Sequence, residues 1–155
     1  MVELASIRSG IGESMEDRYL FKAKRLDNGE WVIGNLIQNP FFKGVRSWIS
    51  SEQEDKTRLR SISRTQALWN SIEVDSSTIC QCTGLKDKNG KLIWEKDVVR
   101  CEVGTAEVIL DKSGWRTKWL KNDLWRKDLH YWTVENSEGA EVIGNIFDNP
   151  ELLEV

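Results

Sequence analysis

The sequence has 155 residues, of which 30% are charged and 39% hydrophobic, and its formal net charge is −3. A chain of this kind can bury a core without disulfide bonds, and its small negative charge excludes a general attraction to nucleic acid or anionic lipid. No apolar run approaches the roughly 20 residues of a membrane-spanning helix, and residues 1–17 lack the basic and apolar regions of a secretory signal. Three cysteines, an odd number, favour a reducing compartment, so we expect a cytoplasmic protein without a membrane partner.

Residues 1–17 are polar and predict a flexible N-terminal arm, which precedes a single β domain over 18–155. The first strong signal in this domain is a β-hairpin. Two β-rich runs, 19–23 and 31–36, flank Asp27-Asn28-Gly29, and Asn-Gly readily adopts the positive φ angles of a tight turn.

A helix is predicted inside the β domain at about 51–70. Ser51 can cap its N-terminus, and three acids follow in the first turn, where they interact favourably with the helix dipole. Apolar side chains then recur at helical spacing at Leu59, Ile62 and Trp69. We interpret this stripe as packing on the β domain, with docking of a partner as the alternative.

Strands resume after residue 80. Asn89-Gly90 predicts a second hairpin turn, with strands at 91–94 and from Val98 to Cys101. Residues 104–110, 131–136 and the segment from Ala140 are further predicted strands. Many short strands separated by Gly, Asn and Asp are typical of a small closed or half-closed barrel, so the fold class is mainly β.

One phrase occurs twice, as VIGNLIQNP over 32–40 and VIGNIFDNP over 142–150. In each copy Val-Ile favours a strand, glycine allows a close backbone approach or a bulge, and Asn-Pro ends the strand. We interpret the copies as two similar strand exits on one sheet. A duplicated ligand loop is the alternative.

Three blocks of the sequence together resemble one family, in order and in spacing. They are FKAKRLDNGEWVIGNLI, CTGLKDKNGKLIWEKDVVRC and EVIGNIFDNPELL, and they resemble the YopX family of bacteriophage and prophage proteins. The resemblance implies an SH3-like barrel and implies no activity. The sequence departs from the family pattern at Lys96, where glycine is usual, so the turn before Asp97 has to accept a side chain.

Two sets of residues could carry chemistry. Cys80, Cys82, Cys101 and His130 offer four potential zinc ligands, but the C-x-C spacing is not that of a zinc knuckle, and buried core thiols are the simpler interpretation. Glu95 and Asp97 could form a carboxylate pair for acid–base catalysis, although Asp97 is better placed to accept a hydrogen bond from a turn N–H. We therefore expect no cofactor, no metal and no enzymatic activity.

The most unusual segment is 112–127, KSGWRTKWLKNDLWRK, in which tryptophans alternate with cations. It carries six cations and one acid, a charge of +5, so the rest of the chain carries about −8. Indole rings stack on unpaired bases, and cations neutralise phosphates. Alternatively, the rings belong to the core, and the cations offset the six acids of residues 135–155. The candidate binding residues are Trp115, Arg116, Lys118, Trp119, Lys121, Trp125 and Arg126.

We consider two binding functions. The first is a non-enzymatic module that recognises a host or phage protein, because tryptophans among charges are typical interface anchors. Trp48 and Trp69 are further candidate anchors, whereas Trp31 and Trp94 follow hairpin turns and are expected to be structural. The second function is binding of single-stranded nucleic acid through 112–127. Self-association into a homo-oligomer is compatible with both.

Overall fold

The computed structural model describes residues 19–39, 45–50 and 71–154, and within them the protein is mainly β, as predicted. The chain divides into two compact units at residue 81, and each unit is described by itself. The predicted arm over 1–17, the predicted helix at about 51–70 and Trp69 lie outside the described residues. A single domain over 18–155 stays a prediction.

The first unit, Tyr19–Gln81, is an antiparallel sheet. Its strands are β1 (Phe21–Lys24), β2 (Trp31–Asn39), β3 (Arg46–Ser50) and β4 (Ile72–Val74), in the order β4-β3-β2-β1, and the first residues of β5 (Cys80–Lys86) pair with β1. Ala23, Ile49 and Val74 form the buried core of this unit. They lie on strands with alternating side chains, so one face of the sheet is apolar.

The predicted first hairpin is confirmed. β1 pairs with β2 from Phe21↔Gly34 to Lys24↔Trp31. In the turn, the Gly29 N–H donates to the Arg25 carbonyl at 3.0 Å, and Gly29 has φ +73°. A residue with a Cβ is disfavoured in this left-handed region, which explains the glycine.

The second unit, which begins at residue 82, contains the larger core. Its main sheet has the order β10-β7-β8-β9, and β6 pairs with β5. The strands are β6 (Leu92–Trp94), β7 (Asp97–Cys101), β8 (Gly104–Asp111), β9 (Gly114–Trp119) and β10 (Glu141–Asn145). The second hairpin and the strand over 104–110 are therefore confirmed.

The prediction of a strand over 131–136 is wrong, because Tyr131–Glu135 is a short π-helical turn. The Asn136 N–H donates to the Tyr131 carbonyl at 2.8 Å, and the Thr133 hydroxyl donates to the Leu129 carbonyl at 2.9 Å. Asp128 accepts the His130 N–H at 3.1 Å and thereby caps the turn. These local bonds outweigh the β propensity of the Tyr, Trp, Thr and Val side chains.

The two copies of the repeated phrase lie in different sheets, so the interpretation of two exits on one sheet is wrong. The first copy continues as strand through Asn39, whereas the second leaves β10 at Asn145. The glycine interpretation is confirmed for the second copy. β10 shifts register against β7 between Val142 and Gly144, and a methyl group on Gly144 would overlap the Asn149 side chain.

Asp87 is a buried carboxylate that joins the Asn89-Gly90 turn to β10. Only 6% of the residue is exposed. Its Oδ1 accepts the N–H groups of Asn89 and Lys91, both at 2.9 Å, and its Oδ2 accepts the Val142 N–H at 3.0 Å. Fifty-five positions separate Val142 from Asp87, so one side chain links two distant segments of this unit.

Lys96, which stands where the family usually has glycine, has φ +67°, so the turn before Asp97 does accept a side chain. It is the one positive-φ residue other than glycine in the described ranges. Its N–H donates to the Val108 carbonyl at 2.8 Å, and its carbonyl accepts the Ile146 N–H at 3.1 Å. The Nζ lies 5.3 Å from the centre of the Phe147 ring. Both backbone groups are therefore used, which holds the turn in a left-handed conformation.

No closed barrel is found within 19–39, 45–50 and 71–154. In the first unit, however, a bridge between Arg25 and Val74 connects the end of β1 to β4. The Asp75 N–H also donates to the Lys24 carbonyl at 2.8 Å. The edge strand β4 thus approaches the end of β1 at one point.

Candidate functional site

Strand alternation divides the predicted tryptophan and cation segment between two faces. Residues 114–119 form β9, which the sequence reasoning missed. Successive side chains of a strand point to opposite faces. Trp115, Thr117 and Trp119 therefore share the core face, and Arg116 and Lys118 share the other. The indole rings and cations of this strand do not form one mixed surface.

Trp119 belongs to the core. The residue is only 7% exposed, and its ring packs edge-on against the ring of Trp132, with centroids 5.1 Å apart. Trp115 is half-buried and packs against the same core. The rings of Trp115 and Trp119 thus pack in or against the core. This is the alternative stated above, in which the tryptophans of the segment are core residues.

Four of the six cations of the segment pair with acids on β8, at its end or in the segment 123–128. Arg116 contacts Asp111 at 3.2 Å, Lys118 lies 3.9 Å from Glu107, Lys127 contacts Asp123 at 2.9 Å, and Arg126 lies 3.4 Å from Asp128. The range 107–128 contains six cations and four acids, a net charge of +2. The partners are thus these neighbours rather than the acids of the C-terminal tail.

Three predicted site residues, Trp119, Lys121 and Trp125, line one pocket. The pocket has a volume of about 200 Å³ and lies where β8 begins and β9 ends. Trp125 is 42% exposed, and Lys121 is exposed. Trp119 contributes part of the wall. The lining residues are Val103, Gly104, Thr105, Trp119, Leu120, Lys121, Asn122 and Trp125.

The loop over 120–126, which we call the tip loop, is held at both ends. At its start the Leu120 N–H donates to the Thr105 carbonyl at 3.1 Å. At its end the Arg126 carbonyl accepts three hydrogen bonds from core side chains. The donors are Trp132 Nε1 at 2.7 Å, Trp119 Nε1 at 3.1 Å and Thr117 Oγ1 at 3.3 Å.

Leu124 lies near the middle of the tip loop and is not among the residues predicted from the sequence. It is 92% exposed, the largest exposure among the large hydrophobic residues that the structure describes. The Asn122 side-chain oxygen accepts the Leu124 N–H at 3.1 Å, which closes a local turn. Asn-Asp before Leu-Trp is a signal that could have identified this turn.

The Arg126 guanidinium lies beside the tip loop and is only partly available. It lies 4.4 Å from the centre of the Tyr131 ring, as a cation–π contact. It also donates to Asp128 at 3.4 Å. Of the seven candidate binding residues, Lys121 and Trp125 are therefore the two that are exposed and also line the pocket.

The three cysteines are buried thiols and form no disulfide. Burial, together with the nearby Glu102 charge, raises the pKa of Cys101 to about 11, so this thiol is a poor nucleophile at neutral pH. His130 is exposed and contacts Glu135 at 3.3 Å. The described part of the chain brings no three His, Cys, Asp or Glu side chains together as a metal site.

The proposed structural role of Asp97 is confirmed. Asp97 is buried, and its Oδ2 accepts the Trp94 N–H at 2.8 Å. Trp94 is buried too, as expected for a structural residue. Asp97 thus holds the turn between β6 and β7.

Trp31 and Trp48, the described tryptophans of the first unit, form cation–π contacts. The Nζ atoms of Lys22 and Lys24 lie 4.8 and 5.4 Å from the centre of the Trp31 ring, and the Arg46 guanidinium lies 5.4 Å from that of Trp48. Arg46 also forms a bidentate salt bridge with Glu73. The hydrogen bonds from Arg46 lower the pKa of the Glu73 carboxyl. Both rings are half-buried.

Together the fold and the site define a mainly β protein with a small pocket beside a loop that exposes Leu124 and Trp125. The model of the YopX protein family matches residues 20–154. The chain belongs to the YopX family. No curated protein matches the sequence significantly. A similar solved structure is that of protein EF1440 from Enterococcus faecalis, with 24% identity and a TM-score of 0.49 over 86% of this chain and 96% of that one.

Within the described residues, no helix has the length and apolar character needed to cross a bilayer.

Proposed function

We propose that the protein is a non-enzymatic binding module that recognises a host or phage protein through the tip loop and its pocket. The observation that carries this proposal is the exposure of Leu124 and Trp125 on a loop whose two ends are fixed. Binding energy at protein interfaces is concentrated in a few apolar and aromatic anchors. A loop that is already ordered loses little conformational entropy on binding.

The groups that could support catalysis have other uses. Asp97 accepts a backbone N–H, and the raised pKa of Cys101 keeps that thiol protonated at neutral pH. These observations support a role without catalysis, cofactor or metal. We further propose that the protein acts in the cytoplasm of an infected or lysogenic bacterium, as implied by the resemblance to phage and prophage proteins.

We also propose that the SH3-like barrel implied by the family resemblance is formed within Tyr19–Gln81. The bridge between Arg25 and Val74 supports this, because it connects the first strand to the fourth. Amide hydrogen exchange tests the proposal: we expect the Asp75 N–H, which donates to Lys24, to be as protected as the amides of β2. Rapid exchange at Asp75 would argue for an open sheet.

Binding of single-stranded nucleic acid is the second candidate, favoured by one observation. Lys121 and the exposed ring of Trp125 line the same pocket, where a phosphate and a base could be bound together. The candidate is weakened by the pairing of the other cations. Titration of a labelled oligonucleotide at two salt concentrations tests it, since phosphate contacts weaken steeply with salt.

Affinity capture from a bacterial lysate tests the leading proposal. We expect Trp125→Ala and Leu124→Ser to lose proteins that the parent recovers. Leu110→Ser is the matched control, because Leu110 is also exposed (47%) but lies at the opposite end of β8 from the pocket. If Leu124→Ser and Leu110→Ser recover the same proteins as the parent, the tip loop is not the binding surface.

A further inference from the structure

We propose that the pocket binds an acidic linear peptide, with one apolar side chain of the peptide inserted between Trp119 and Trp125 and an adjacent carboxylate on Lys121. This inference rests on the proposed function, because it assigns a chemical class to the partner of the same pocket. It follows from three properties of the pocket: its volume, the sign of its polar groups and the pairing of the charges around it.

The volume fits one side chain. Pockets for small-molecule ligands usually measure about 300–1,000 Å³, whereas this pocket measures about 200 Å³. Val103, Leu120 and the two tryptophans make most of the lining apolar. A leucine or phenylalanine side chain is the kind of group that gains most from burial in such a space.

The polar groups on the lining side chains favour an anion. Lys121 pairs with no acid among the described residues, and neither the indole N–H of Trp125 nor the Thr105 hydroxyl donates a hydrogen bond to any of them. The eight lining residues include one cation and no carboxylate. An ammonium group and an indole N–H both donate, and a carboxylate only accepts.

The acid of the tip loop does not oppose this donor set, because it is already paired. Asp123, the acid of the tip loop, is held by Lys127 at 2.9 Å. Lys127 is thereby neutralised, and Arg126 is shared between Asp128 and the Tyr131 ring. A single-stranded nucleic acid would need several free cations and stacking faces along its backbone, whereas one lysine beside one apolar pocket matches one carboxylate beside one apolar side chain.

Fluorescence anisotropy with three labelled pentapeptides tests this proposal. Each peptide carries one central leucine, flanked by four aspartates, four serines or four lysines. We expect the aspartate peptide to bind at least about threefold more tightly than the serine peptide and the lysine peptide to bind most weakly. Replacing the leucine by alanine should weaken binding about tenfold, and raising the salt concentration should weaken the aspartate peptide most.

Two lysine variants provide the matched comparison. Lys121→Gln should weaken the aspartate peptide about two- to fivefold and leave the serine peptide unchanged. Lys112→Gln should change neither, because Lys112 lies beyond the far end of β8, roughly 20–25 Å from the pocket at the rise of a strand. Equal effects of the two variants would show that only the overall charge matters, and would overturn the proposal.

The remaining outcomes separate this proposal from the proposed function. If the serine and lysine peptides bind as tightly as the aspartate peptide, the acidic preference is wrong and the binding module stands. If no peptide binds but Trp125→Ala still loses a captured protein, the same conclusion holds. If no peptide binds, and Leu124→Ser and Trp125→Ala capture the same proteins as the parent, the acidic-peptide proposal and the proposed function are both wrong. If an oligonucleotide binds more tightly than any peptide, the protein-binding proposals are wrong and single-stranded nucleic acid is the ligand.

Discussion

Replacing Asp87 should destabilise the second unit more than replacing any exposed aspartate of the hairpin turns. The side chain accepts three backbone N–H groups, two in the turn and one from Val142 in β10. A hydrogen bond to a charged acceptor contributes about 1.5–3 kcal/mol, and losing the acceptor leaves the N–H groups unsatisfied. Because the three bonds share one group, they do not simply add, and we expect about 3–5 kcal/mol for Asp87→Ala.

That loss is a large part of the roughly 5–15 kcal/mol by which domains are stable, so Asp87→Asn is the safer variant. Asparagine retains one oxygen for the turn, but its amide group would face the Val142 N–H, and two donors cannot bond to each other. We expect a loss of about 1–3 kcal/mol. Asp111→Asn is the control, because Asp111 also accepts an N–H two residues later, from Ser113 at 2.7 Å, but is exposed. Its loss should stay below about 1 kcal/mol.

Urea unfolding followed by tryptophan fluorescence gives the free energies, and amide hydrogen exchange localises the change. In Asp87→Asn the Val142 amide should exchange faster than in the parent, whereas in Asp111→Asn it should not. If the two variants lose equal stability, or if Val142 stays fully protected in Asp87→Asn, the reasoning about the shared carboxylate is refuted.

Three further predictions concern single positions. Lys96→Gly should raise the free energy of unfolding by about 0.5–1 kcal/mol, because glycine tolerates φ +67° better than a residue with a Cβ, whereas Lys96→Val should lower it; the same sign for both in urea unfolding would contradict this. Gly144→Ala should cost about 1–3 kcal/mol, because the new methyl group would overlap Asn149 and lie 2.9 Å from a Leu152 methyl; an unchanged melting temperature would exclude the overlap. The raised pKa of Cys101, about 11, means that the thiol ionises first in the unfolded chain, near pH 8.5, so its contribution is complete below that pH and is lost as the pH rises to about 11. The stability difference between the parent and Cys101→Ala should therefore shift against the parent over this range by up to about 2 kcal/mol in unfolding at stepped pH. A constant difference would show that the pKa of the thiol is not raised.

The hairpins could be predicted because their signals are local. Asn-Gly turns require positive φ angles wherever they occur, and Gly29 and Gly90 adopt them. The left-handed turn at Lys96 was predictable for a similar reason, since the family resemblance indicated a glycine position. The role of Asp97 also followed from its place directly after a turn.

The candidate site was harder to predict because its residues are separated by strand alternation and by pairing. β9 carries two cations and a threonine between its tryptophans, so its apolar period was hidden. Recognising it as a strand would have assigned Trp115 and Trp119 to one face. The fixing of the tip loop through the Arg126 carbonyl could not be predicted, since it joins backbone and side chains that only the tertiary fold brings together.

The Arg126 carbonyl has a consequence for how the tip loop can change during evolution. The group that anchors the loop is a backbone oxygen, which every amino acid supplies, and its donors Thr117, Trp119 and Trp132 lie outside the loop. Mutation at positions 121–126 can therefore alter what the loop displays without removing what holds it. A protein built in this way could change the surface that it presents by substitutions confined to one short segment.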